Sequence, residues 1–296
     1  MGTLCKRGWR NQTLPAIIEA KGLTYTYPGA SKPSIEGLSM TIERGEFVVL
    51  TGPSGCGKTT ICRCFNGLIP HFYNGKLEGD LVVAGLRIAD HPSHELAKHI
   101  GLVFQNPENQ LFALSVEKDV AFGPENLGLP REEIKRRVDW ALKITGTEEL
   151  RERVPHELSG GQQQRVAIAG VLAMQPEVMV FDEPTSFLDP LGAQNIFEVI
   201  NDLNEKLGIT VILVEHRLDL ASKYADHVIV MNEGKVELDG KPREVFSSEK
   251  ARLIGVGIPK AMRLCQLLEE NGICSSGSLI TSDEASKFLR SVLKRD

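Results

Sequence analysis

The chain has 296 residues, 42% hydrophobic and 25% charged, with a formal net charge of −5. That length supports a large core in one or two domains, and the composition is ordinary for a globular protein. The acidic balance argues against a nucleic-acid surface, and no apolar stretch is long enough to span a bilayer, so any membrane role runs through a partner.

Residues 1–15 carry Lys6, Arg7 and Arg10 with no apolar core behind them, and they read as a flexible extension rather than a secretory signal. From about residue 16 to 50, and again from 75 to 90, short strand patterns alternate with turns, which predicts an antiparallel lobe. Within the first stretch Phe47, Val48, Val49 and Leu50 form an uninterrupted apolar run, the pattern of a parallel strand buried on both faces. It leads into Gly52, Pro53, Ser54, Gly55, Cys56, Gly57, Lys58 and Thr59, with a helix expected from Thr60 onward. Glycines let such a loop turn its N–H groups inward, and the positive end of the helix adds to their pull on a polyphosphate. Lys58 is placed to reach the β- and γ-phosphates and the Thr59 hydroxyl to ligate Mg²⁺. Cys56, at a helix N-terminus, is expected to have a lowered pKa. Cys62 and Cys64 are two apart on that helix and point away from each other, unlike metal ligands. His91, His94 and His99 fall in a polar connection and read as solvated surface.

Residues about 106–170 are helix-rich and predict an arm. It contains Leu158, Ser159, Gly160, Gly161 and Gln162, the last opening a helix whose N-terminus, preceded by Ser159, Gly160 and Gly161, suits an anion. Val178–Phe181 is a second buried strand ending in Asp182 and Glu183. Asp182 is placed to hold Mg²⁺ or its water shell, and Glu183 to polarise a water. A third run, Thr210–Val214, ends at Glu215 and His216, and strand ends on one side of an open parallel sheet line its ligand crevice. In the tail, Ala261, Leu264, Leu267 and Leu268 make a helical stripe. A capping box at Thr281–Glu284 precedes Ala285, Phe288, Leu289, Val292 and Leu293 on one face. These helices pack either on their own core or on another copy.

These residues resemble the ATP-binding cassette (ABC) family from about residue 16 to the C-terminus. The resemblance implies an α/β P-loop NTPase core with a parallel sheet, an antiparallel β lobe, a helical signature arm and a small α-helical extension. The cassette would span 16–245, and the extension, 246–296, is a candidate dimerisation element. Tyr27 looks like the aromatic that stacks on adenine, and Gln105 like the glutamine that contacts Mg²⁺ and couples to a membrane partner. Ser159, Gly160, Gly161 and Gln162 look like the signature that closes over the γ-phosphate of an opposing subunit, and Asp189 like the loop that communicates across the dimer. The implied nucleotide set is Tyr27 and Gly52 to Thr60, with Lys58, Gln105, Glu183 and His216 catalytic and Thr59, Gln105 and Asp182 on Mg²⁺. The implied ligands are ATP and Mg²⁺. Phe187 departs from the small residue usual there, which puts homodimerisation in doubt.

Three stretches, Asn66–His71, Gln105–Phe112 with Asp119–Pro124, and the tail from Gly257, resemble the ATPases of energy-coupling factor (ECF) transporters, which import vitamins and Co²⁺ or Ni²⁺. That resemblance implies a second ABC ATPase (homo- or heterodimer), a membrane coupling protein and a substrate-binding membrane protein as partners, at the cytoplasmic face. Alternatives are the ATPase of an ordinary ABC transporter, or a soluble ABC ATPase acting on nucleic acid or ribosomes. The latter would call for a long coiled coil or two cassettes, and the sequence has neither.

Overall fold

The computed structural model describes residues 15–272 and 279–293, without the side chains of 292 and 293. The expected flexible extension therefore lies outside the described residues, apart from Pro15, as do the side chains of Val292 and Leu293.

Two sheets organise the chain. Strands β1 (Ala16–Thr26), β2 (Ile35–Glu43), β4 (Lys76–Val83) and β5 (Leu86–Arg87) pair antiparallel in the order β2-β1-β4-β5. They are the predicted lobe. β3 (Phe47–Thr51) leaves that lobe and enters the second sheet with β6 (Ile100–Val103), β7 (Val178–Asp182), β8 (Thr210–Val214), β9 (His227–Asn232) and β10 (Lys235–Gly240), in the order β10-β9-β3-β8-β7-β6. Its pairs are parallel except for β10 against β9 at the edge.

The period of two in a strand explains why β3, β7 and β8 read as unbroken apolar runs. Phe47, Val49, Met179, Phe181, Val211 and Leu213 face one core; Val48, Leu50, Val178, Val180, Ile212 and Val214 face the other. The second core is shared with the antiparallel lobe and with helix α1 (Lys58–Phe65), through Ile61, Cys62, Cys64 and Phe65. Two single turns, α2 (Leu68–His71) and α3 (Ser93–Leu96), follow on that side. The first core lies under the helical arm, α4 (Val116–Asn126), α5 (Arg131–Thr145) and α6 (Gly160–Leu172), and under α7 (Pro190–Leu207). The sheet is thus covered on both faces and its ligand edge stays open.

After the turn α8 (Leu218–Ala221) come α9 (Pro242–Ser247), α10 (Glu249–Ile254), α11 (Lys260–Glu270) and α12 (Ser282–Leu293). The boundary expected at residue 246 falls inside α9, where Phe246 is fully buried in the first core. Val256, Met262 and Ile280 join the same core. The Lys260 N–H donates to Asp219 at 2.6 Å, and Arg243 pairs with Glu284 at 2.6 Å. One face of the tail therefore packs on its own chain. Ala261 and Cys265 are also buried, whereas Leu264 and Leu267 of the expected stripe are exposed.

Candidate active site

The loop after β3 is shaped by two glycines that no other residue replaces. At Gly52 the backbone is left-handed (φ 147°), and a Cβ there would lie 2.0 Å from the Met231 carbonyl of β9. Gly57 (φ 104°) leaves no room either, because a Cβ would meet the Ser34 carbonyl at 2.5 Å. Both positions hold the loop against the sheet while it turns into α1. That helix opens at Lys58, two residues earlier than expected, with Gly57 as its N-cap. The Lys58 and Thr59 side chains thus project from a first helical turn, where the orphan N–H groups and the dipole add positive potential.

Lys58 is almost fully buried, and its ammonium donates to the Gly52 and Pro53 carbonyls at 2.9 Å each. No carboxylate pairs with it among the described residues. Beside it Thr59 donates to the Asp182 carboxylate, at the tip of β7. Burial raises the Asp182 pKa, and the Thr59 hydrogen bond opposes that rise.

Glu183 follows in a left-handed conformation (φ 50°), with its N–H on the Val214 carbonyl at 3.1 Å. This costly geometry in a non-glycine residue turns the side chain off the strand direction. Its Oε2 accepts from Gln105 Nε2 at 3.1 Å and from Ser186 Oγ at 2.9 Å, and its Oε1 lies 3.2 Å from His216 Nε2. Two sequence-distant candidates, Gln105 and His216, thus meet on one carboxylate. A cleft of about 200 Å³ separates Glu183 from Ser54, Gly55 and Lys58–Thr60.

The residues fit a magnesium nucleotide. A buried ammonium answered by neutral groups, with no carboxylate partner among the described residues, is suited to an anion. The Thr59 hydroxyl and the Asp182 carboxylate, with the Gln105 amide as a third candidate, are hard oxygen donors of the kind Mg²⁺ takes.

Other candidates lie apart. Tyr27 packs against α1, its hydroxyl 3.4 Å from Thr60 Oγ1. Ser159 to Gln162 and Asp189 line a separate hollow of about 380 Å³ with Phe187 and Leu191, both exposed. Ser159 is the N-cap of α6: its Oγ accepts from the Gln162 N–H at 3.4 Å, and Gln162 Oε1 accepts from the Ser159 N–H at 3.0 Å. Gly160 and Gly161 do not precede that helix; they are its first two residues, because the capping box starts it at Ser159. Asp189 caps α7 by accepting from the Gly192 N–H at 2.6 Å.

The expectation for Cys56 is corrected. Its side chain is buried against the loop, and desolvation raises the thiol pKa more than the Lys58 ammonium, 3.9 Å away, lowers it. Cys62 and Cys64 are also buried, and burial pushes the Cys64 thiol to about 12. His91 and His99 each place Nδ1 2.9 Å from a carboxylate, of Glu95 and Glu177 respectively.

Sequence reasoning did not single out Glu215, Thr185, Ser186 or Arg217. Glu215 is 2% exposed. Its Oε1 accepts from the backbone N–H groups of His216 (2.8 Å) and Arg217 (3.0 Å), and its Oε2 from Thr185 Oγ1 (2.6 Å). Arg217 in turn donates to the Leu188 carbonyl at 2.9 Å. A carboxylate straight after a fully buried strand was the available signal for Glu215. Nothing in the sequence marks Thr185 as its partner.

The ABC transporter family profile matches residues 35–186. A provisionally named ABC transporter ATP-binding protein of Methanosarcina mazei is 46% identical over 263 residues, 88% of this chain and 45% of that protein. A Pyrococcus abyssi relative with the same kind of name is 45% identical over 87% of this chain and 92% of its own length. The energy-coupling factor transporter ATP-binding protein of Clostridium novyi is 42% identical over 90% and 95%. The chain thus spans less than half of the Methanosarcina relative and nearly all of the other two. Among solved structures, cbiO1 of Clostridium perfringens, part of the ABC transporter complex cbiONQ, superposes with a TM-score of 0.72 at 40% identity, covering 86% of this chain and 99% of that one. A dimeric ATP-binding cassette in a post-hydrolysis state with ADP and Pi gives 0.65 at 31%, covering 76% and 98%. With Glu183, joined by Gln105 and His216, facing the phosphate loop across one cleft, the chain belongs to the ABC transporter family as one of its ATP-binding cassettes.

Proposed function

We propose that the chain is the ATP-hydrolysing, energy-coupling subunit of an ECF-type importer for a vitamin or a transition-metal ion. The observation that carries the hydrolytic part is the convergence of Gln105, Ser186 and His216 on the Glu183 carboxylate at the lip of the phosphate-loop cleft. Glu183 takes a proton from a water aimed at the γ-phosphorus; the new P–O bond forms as the bond to the ADP oxygen breaks. Lys58 and His216 draw negative charge off the γ-phosphoryl oxygens. Thr59 and Asp182, with Gln105, would hold Mg²⁺, which would supply positive charge to offset that of the phosphates. Ser159–Gln162 and Asp189 face a second subunit, whose nucleotide the α6 N-terminus would cap.

The ECF reading is supported by the likeness to the Clostridium novyi and Clostridium perfringens proteins. The Methanosarcina and Pyrococcus relatives carry the broader transporter name, which favours an ordinary ABC transporter as second reading. In either case the membrane partner has a candidate seat. A largely apolar groove of about 490 Å³ opens between α4, α6 and the segment 110–112, with Phe112 and Phe122 exposed at it. Asp119 holds its rim by accepting from the Phe112 and Ala113 N–H groups at 3.1 and 3.0 Å. No helix among the described residues is long and apolar enough to cross a membrane.

The test is to solubilise membranes from cells expressing the tagged full chain and to identify what co-purifies. An ECF importer predicts a second cassette, a coupling membrane protein and a small membrane protein carrying a vitamin or metal ion. Two large membrane subunits without a separate small binding protein would favour the second reading. Recovery with ribosomes or nucleic acid alone would exclude both.

A further inference from the structure

Thr60 and Arg63 stand three residues apart on α1 and are therefore neighbours on one face. Both reach the same atom of the antiparallel lobe. The Tyr27 hydroxyl lies 3.4 Å from Thr60 Oγ1 and accepts from Arg63 Nη1 at 3.1 Å. The same guanidinium sits over the Tyr73 ring, 4.6 Å from its centroid. Tyr73 meets Tyr27 edge to face at 6.5 Å, and Tyr25 meets it likewise at 4.8 Å. Tyr25 is fully buried and anchored by its hydroxyl on the Asn74 carbonyl at 2.8 Å. The half-buried Tyr27 ring is thus held at its tip by α1 and at its edges by two other rings.

Thr60 also lines the phosphate-loop cleft, but Arg63 and Tyr73 do not. Lys58 and Thr59 belong to the same helix but engage Gly52, Pro53 and Asp182. One short helix therefore presents a phosphate-side end and, one turn later, a clamp on an aromatic ring. A tyrosine free to rotate must be ordered when a base stacks on it, at a cost in affinity; a clamped one is already ordered. We propose that Arg63 and Tyr73 are positioning residues for the purine of the nucleoside triphosphate, acting by fixing Tyr27 before the nucleotide arrives. The proposal rests on Tyr27 being the base platform. It assigns Arg63 to base affinity and not to hydrolysis.

The experiment compares binding of MgATP and of magnesium tripolyphosphate, which has no base, to the full-length chain and its variants. Tyr27→Ala should weaken MgATP about 5- to 150-fold, the range of one base–aromatic stack, and leave tripolyphosphate unchanged. Arg63→Ala should weaken MgATP about two- to tenfold, the cost of ordering one side chain, again with tripolyphosphate unchanged. Arg63→Lys should recover part of that loss. In turnover, Arg63→Ala should raise KM with kcat kept. Tyr27→Phe, which removes only the clamped hydroxyl, should reproduce the Arg63→Ala loss and serves if that variant does not fold. If Tyr27→Ala binds MgATP like wild type, the platform reading itself fails. If Tyr27→Ala is weakened but Arg63→Ala or Tyr27→Phe is not, the clamp is overturned and the platform stands. Equal loss of MgATP and tripolyphosphate in Arg63→Ala also overturns it, since the damage would then be to the phosphate loop.

Discussion

At the scale of single residues, the site depends on a carboxylate that never faces the cleft. Glu215 takes three hydrogen bonds in a buried position and holds the His216 backbone while tying it to Thr185 beyond β7. Removing it in Glu215→Ala leaves those donors short of an acceptor, each costing about 1–3 kcal/mol where water cannot replace it. The expected outcome is lower thermal stability and a reduced kcat with KM for ATP little changed, because His216 shifts while the phosphate loop does not. Glu215→Gln keeps one acceptor oxygen for the two N–H groups and should recover most of the kcat. Melting curves and steady-state rates on the pair check both statements, and equal activity in Glu215→Ala and wild type would deny the positioning role.

At the scale of elements, the strands that carry the site were legible because each is an apolar run closed by a polar pair. Asp182, Glu183 and His216 were found that way, while Glu215 was passed over. Less legible were the helix starts. α1 and α6 begin at Lys58 and Gly160, where a left-handed glycine cap and a capping box decide the matter rather than apolar periodicity. The lowered pKa expected for Cys56 was wrong because position relative to a helix end says nothing of desolvation. The edge pair β9–β10 holds a further consequence. His227, on β9, places Nε2 2.5 Å from Asp239 and Nδ1 3.4 Å from Glu46. Burial alone would lower its pKa, but the two carboxylates raise it to about 9. A raised folded-state pKa means that this stabilisation is complete below the unfolded value, about 6.5, and is lost as pH climbs through about 9. The wild-type melting temperature should therefore fall between pH 6.5 and 9.5 by more than that of His227→Gln. Parallel slopes in the two proteins would show that the imidazolium contributes nothing.

At the scale of the whole molecule, the tail divides between the two roles the sequence left open. Met262 and Ile280 are in the main core, so deleting everything after residue 256 uncovers apolar surface and should lower the melting temperature. That deletion cannot by itself report on association. Leu264 and Leu267 are the exposed face, and they are the proposed contact with a second copy or a partner cassette. Leu264→Glu should leave the unfolding stability within about 0.5 kcal/mol of wild type and weaken nucleotide-free association by several kcal/mol, order of magnitude, if the face is buried there. Sedimentation without nucleotide distinguishes the cases, and unchanged association would confine the tail to its own core. The assembled reading of the molecule, two cassettes joined over nucleotide, nevertheless stands or falls on one carboxylate. The measurement that tests it most directly is ATP turnover by Glu183→Gln at saturating MgATP, with nucleotide binding followed in the same samples. Loss of about 10²–10⁴-fold in rate, the usual weight of a general base, with binding retained, is the predicted result; turnover at the wild-type rate would contradict it.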